Sequence, residues 1–83
     1  MRRALVLIRA RARVFAAWLR LRHAVMSAHG ARSTLVCSEW LGADASVLCE
    51  DHSAYVGRLA GLRDAEEAAR VARRKLRLIR GKS

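Results

Sequence analysis

The side chains in this 83-residue sequence able to hold a metal or pass a proton are few: two cysteines and three histidines. Cys49 and His52 stand at i, i+3, a spacing that puts two ligands on one face of a helix, and His29 and Cys37 upstream would complete a four-ligand zinc set. Against that set, His29 and Cys37 lack the tight pairing that structural zinc sites use on each side, so ordinary surface or core histidines are the expectation. With eleven residues between them, Cys37 and Cys49 are expected reduced and half-buried, a single disulfide being the alternative. His23, His29 and His52 are general-base types, but no nucleophile motif accompanies them. There is no Gly-rich phosphate loop with its lysine and no H-E-x-x-H. Nothing here points to catalysis, a metal or a cofactor.

Arginine carries the chemistry that remains. Of 17 basic residues only Lys75 and Lys82 are lysines, and the net charge is +10. A planar guanidinium pairs with phosphate or carboxylate in a two-pronged fashion that an ammonium cannot match. The charge falls in blocks: residues 1–38 hold eight arginines and no acid, 39–67 hold all seven acids against Arg58 and Arg63, and 68–83 hold seven basic residues and no acid. Two basic arms therefore flank an acidic middle, and the surplus asks for an external polyanion or acidic surface. The expected contacts are Arg2, Arg9, Arg11, Arg13, Arg20 and Arg22 in the first arm, and Arg70, Arg73, Arg74, Arg77 and Arg80 in the second. Trp18 and Trp40 are candidates to stack on a splayed base or to anchor an apolar contact.

Helices must position these groups. The chain has no proline, and Ala, Leu and Arg, all good helix formers, dominate its first arm. The sequence predicts an all-α, extended chain with little independent core. A basic helical arm spans residues 1–28, an irregular linker with a short apolar run spans 29–43, and a helical segment with an acidic start and a basic end spans 44–81. On the arm's wheel Arg2, Arg9, Arg13 and Arg20 share a stripe. Leu7, Val14, Trp18, Leu21 and Val25 line an apolar sector, with Ile8, Phe15, Leu19 and Met26 beside it. Arg11 and Arg22 sit inside that sector, where a helix lying on a bilayer would avoid them.

Gly30, among Ser27, His29 and Ser33, marks an expected break. Asp44 is placed to cap a second helix with Leu48, Tyr55, Leu59 and Leu62 near heptad spacing. A kink near Gly57 and Gly61, and Asp64 with Glu67 as a capping box, predict one kinked or two shorter helices from there on. Along the last stretch Ala65, Ala68, Ala69, Ala72, Leu76 and Ile79 form the apolar face, with the arginines opposite.

A chain this short buries too little surface to stand comfortably alone, so it is expected to be largely unfolded in isolation and held by a partner. No run approaches the roughly 18 to 20 apolar residues needed to span a bilayer. The arginine-rich, acid-free amino terminus resembles a mitochondrial presequence, which implies a retained, uncleaved signal doubling as a structural arm at the matrix or the matrix face of the inner membrane. The expected function is that of an accessory subunit of a large assembly, a mitochondrial ribosomal protein holding ribosomal RNA backbone beside protein neighbours. The alternative is a supernumerary matrix-side subunit of a respiratory complex or ATP synthase, touching acidic protein surfaces and cardiolipin head groups.

Overall fold

The computed structural model describes residues 2–81. They form two long helices, α1 (Arg2–Trp40) and α2 (Ala45–Gly81), folded back on each other. The pair is a rod with Cα extents of 61 × 13 × 13 Å, as expected when a helix of nearly forty residues advances about 1.5 Å per residue. Its radius of gyration is 18.5 Å, against about 12 Å for a compact chain of this length.

The seam follows a seven-residue repeat. On α1, Leu7, Val14, Leu21 and Leu35 alternate with Ala10, Ala17, Ala24 and Ala31, and the residues turned most completely inward are Ala10, Ala17 and Ala28. On α2, Leu48, Tyr55, Leu62 and Leu76 lie half-buried and Ala65 and Ala69 are buried. Those five alanines are the whole of the buried core among the described residues. Small residues let two helices approach, but they remove little apolar area from water, so the hairpin gains little from its own interior.

The turn is fixed by backbone chemistry. Gly42 adopts a positive φ of 69°, the left-handed conformation that ends a helix with least steric cost when no Cβ is present. Its N–H donates to the Glu39 carbonyl at 3.2 Å, and that of Ala43 donates to the Ser38 carbonyl at 3.0 Å. Together they satisfy carbonyls that the end of α1 would otherwise leave open. Asp44 then stands at the cap of α2, its carbonyl accepting from the Leu48 N–H at 3.0 Å. Beside the turn the Ser38 hydroxyl donates to the Asp51 carboxylate, a polar tie between the helices.

The turn falls at Gly42 rather than Gly30. Residues 29–40, read as linker, continue α1, because Ala24, Ala31, Leu35 and Ser38 keep the seam in register past Gly30. The Thr34 hydroxyl donates to the Gly30 carbonyl at 3.1 Å across the weak point. Nor does a third helix open at Asp64: α2 runs unbroken through Gly57, Gly61 and Asp64, since Leu59, Leu62, Ala65 and Ala69 pack on α1 in one continuous series. A Cβ built on Gly57 or Gly61 meets nothing within 4 Å, so no close crossing depends on either glycine.

Candidate nucleic-acid interface

Folding back brings the two basic arms side by side. The open end of the rod comprises residues 2–22 of α1 and 68–80 of α2, with thirteen basic side chains and no acid. The rest of the described chain holds all seven acids against Arg32, Arg58 and Arg63. The rod is therefore electrically polar along its length, the basic halves of both helices lying at one end. Lys82 lies outside the described residues.

Two grooves run between the helices, one on each side of the plane containing their axes. The first takes Arg9 and Arg13 from α1 and Lys75 from α2, walled by Val6, Ala10 and Ala72. It continues toward the turn past Arg20, His23 and Arg58. The second takes Arg11 from α1 and Arg73 from α2 beside Val14, Phe15 and Trp18. It extends along Arg70, Arg77 and Arg80 around Val14 and Leu76. The split follows from register: in an antiparallel pair, positions one step past the seam on one side meet their counterparts on that same side. Arg9, Arg13 and Arg20 fall on one flank of α1 and Arg11 on the other. At the tip, Arg2 and Arg3 adjoin Ile79 and Arg80 across the helices.

Several of these cations are engaged within the hairpin. Arg70 and Glu67 form an exposed ion pair at 3.5 Å, and such pairs contribute little. The Arg73 Nε donates to the Ala69 carbonyl at 3.4 Å. Arg22 lies over the Trp18 ring, 5.5 Å from its centre, a cation–π contact. Phe15 stacks beside Trp18 with centroids 6.1 Å apart. Arg74 is exposed on the outer side of α2, in neither of these grooves.

The two tryptophans part company. Trp18 belongs to the basic half, already engaged by Phe15 and Arg22. Trp40, 87% exposed at the end of α1 next to an equally open Leu41, sits by the acidic turn. That is about 33 Å along the helix from Trp18 at 1.5 Å per residue, out of reach of the arginine cluster. Cys37 and Cys49 are free thiols, exposed rather than half-buried, because both fall on the outer sides of their helices. Among the described residues no three of His, Cys, Asp and Glu come together as a metal set, so His29, Cys37, Cys49 and His52 are not gathered into one. Lys75, Arg58 and Arg3 are groove or tip cations that wheel reasoning on single helices passed over; only the register between helices reveals them.

The side of α1 turned away from α2 is apolar. Leu5, Ile8, Phe15, Leu19 and Met26 are each about half exposed or more, on a stripe of three- and four-residue steps whose two gaps are filled by Ala12 and Arg22. No helix among the described residues is long and apolar enough to cross a membrane. No protein-family model, characterised protein or solved structure matches the chain.

Proposed function

We propose that the chain is a non-catalytic structural subunit of a large ribonucleoprotein, an accessory protein of the mitochondrial ribosome, which neutralises ribosomal RNA backbone with the open end of its hairpin. The observation that carries this reading is the concentration there of thirteen basic side chains without one acid. Two like charges about 10 Å apart repel by about 0.4 kcal/mol even in water, and this end holds many such pairs. A core of five alanines has little with which to oppose them. A phosphate backbone removes the repulsion and satisfies the guanidinium donors together. Contacts of this kind follow the shape and charge of the helix and read no sequence. The apolar back of α1 then lies against a protein neighbour, which supplies the burial that the hairpin lacks. The arginine-rich amino terminus supports the mitochondrial setting.

Affinity for RNA should fall with salt by a log-log slope of about 0.7 per neutralised phosphate on single strands, or about 0.9 on a duplex. A flat salt response rejects the reading. In an extract sedimented on a density gradient, the chain should run with ribosomal subunits and be released by nuclease.

A second reading draws on the apolar back of α1 with Trp18 at its edge: a matrix-side subunit of a respiratory complex or ATP synthase, with its arginines on acidic protein and cardiolipin. Co-migration with a detergent-solubilised membrane complex that survives nuclease selects it.

A further inference from the structure

Eight of the thirteen basic side chains of the open end fall into two rows on opposite sides of the rod, while Arg2 and Arg3 sit at the tip, Arg22 over Trp18 and Arg74 on the outer side of α2. One row is Arg9, Arg13, Arg20 and Lys75, and the other is Arg11, Arg70, Arg73 and Arg77. Each row takes three cations from one helix and the fourth from the other, so closing the hairpin completes both. Between the rows stands the body of the helix pair, each helix about 10–12 Å across with its side chains. That thickness is comparable to the screening length of about 8–10 Å at physiological salt. Phosphates seated in one groove therefore leave the other row largely uncompensated. A stiff RNA duplex seated on one side cannot curl round a rod this thin to reach the other side, because its persistence is far longer than the rod is wide.

We propose that the hairpin is a two-sided bridge that holds two RNA duplex segments at once, one backbone in each arginine groove. This rests on the polyanion reading above and adds to it the number and arrangement of the partners. The shape and charge fit the role: the rod is slender, its open end carries both rows, and its acidic turn end, with Glu39, Asp44, Glu50 and Asp51, repels phosphate and so stays outside the RNA. The two rows of four are balanced, with Arg58 beyond the first toward the turn and Arg80 beside the second, so neither backbone is favoured strongly over the other.

The test uses the full chain and one short RNA duplex prepared in two batches, with donor and acceptor dyes. With duplex in excess, the expected result is energy transfer between the batches and a sedimenting complex of one chain with two duplexes. Neutralising one row, as R9Q/R13Q/R20Q/K75Q or as R11Q/R70Q/R73Q/R77Q, should abolish energy transfer while leaving one duplex bound. A single remaining row should lose affinity on the order of 10²-fold between about 50 and 200 mM salt, from a slope of about 0.9 for each of four phosphates. A control with Ala17→Pro and Ala69→Pro keeps every charge but breaks both helices; it should bind RNA without the fixed one-to-two complex.

Binding of a single duplex with no energy transfer overturns the bridge and leaves the RNA reading standing. Failure of the wild-type chain to bind the duplex at all overturns both. Unchanged bridging by either row variant, or equal bridging by the proline control, shows that bulk charge and not two built faces does the work. Displacement of the RNA by anionic phospholipid vesicles at equal phosphate also overturns it, in favour of a lipid surface.

Discussion

Alanine at three glycines should have opposite effects, and the difference tests the hairpin itself. Gly42 sits at a φ of +69° in the turn, whereas Gly57 and Gly61 lie exposed within α2 with nothing within 4 Å of an added methyl group. A side chain held in the left-handed region costs about 1–2 kcal/mol, partly offset by about 0.4–1 kcal/mol of reduced freedom in the unfolded chain. Gly42→Ala should therefore destabilise by about 1 kcal/mol. Gly57→Ala and Gly61→Ala should each stabilise by about 0.8–1 kcal/mol, the difference in helix propensity. One kcal/mol changes the folded-to-unfolded ratio about fivefold. None of the three alters charge, so the comparison is free of the electrostatics that dominate this chain. The assay is the far-ultraviolet helix signal during titration with trimethylamine N-oxide, which strengthens burial by exclusion from protein surface. Gly42→Ala should need more osmolyte to fold and the α2 variants less. A neutral Gly42→Ala would mean that the turn is not the one described, and a destabilising Gly57→Ala would mean that the seam uses that glycine for close approach.

Three further substitutions and reactions probe the seam and the thiols. Ala65→Asp, at a position 4% exposed, should cost several kcal/mol by burying an unpaired charge and abolish the hairpin, whereas Ala60→Asp on the exposed side should leave osmolyte-induced helix largely intact; equal effects would refute the seam. Removing the hydroxyl that ties the helices near the turn, Ser38→Ala, should cost about 0.5–1.5 kcal/mol in the same titration, and no change would show that Asp51 does not depend on it. Cys37 and Cys49, both exposed, should react with a bulky thiol reagent as fast in the folded, RNA-bound chain as in the unfolded one; protection of either would place it under a contact.

The all-helical, extended and thinly cored character was legible because it rests on composition: no proline, abundant Ala, Leu and Arg, and apolar residues at helical spacing. The face of the last helix, Ala65 to Ile79 with the arginines opposite, was legible for the same reason. Where α1 ends was not, since Gly30 with its polar neighbours carries the local marks of a break. The counter-signal was alanine recurring every seven residues at 10, 17, 24 and 31, a repeat easily overlooked because alanine scores weakly as a core residue. Read through, it carries one seam past Gly30 to the turn at Gly42. Pairing of the arms was beyond single-helix reasoning, for the two arginine rows are composed across helices. Trp18 and Val25 stood in one sector with Leu7, Val14 and Leu21, and Ile8, Phe15, Leu19 and Met26 beside it, yet only Leu7, Val14 and Leu21 reached the seam; the others form its edge or the outward back of α1.

A thin alanine core and a crowded cationic end together make the response to salt depend on the partner. Without RNA, the thirteen basic groups of the open end repel one another across the closed hairpin and less across an open chain. Added salt screens that repulsion and should raise helix content. With RNA, the phosphates supply the compensation, and a ligand that binds the folded form stabilises it by about 2.7 kcal/mol at a hundred times its dissociation constant. Added salt then strips the RNA away and should lower helix content through the same range. The two curves are expected to converge at high salt, where neither repulsion nor RNA remains. Circular dichroism of the purified chain against sodium chloride, with and without a duplex whose own signal is subtracted, measures both. A rise or a fall common to the two series would uncouple folding from the charge of the open end and refute the link between them.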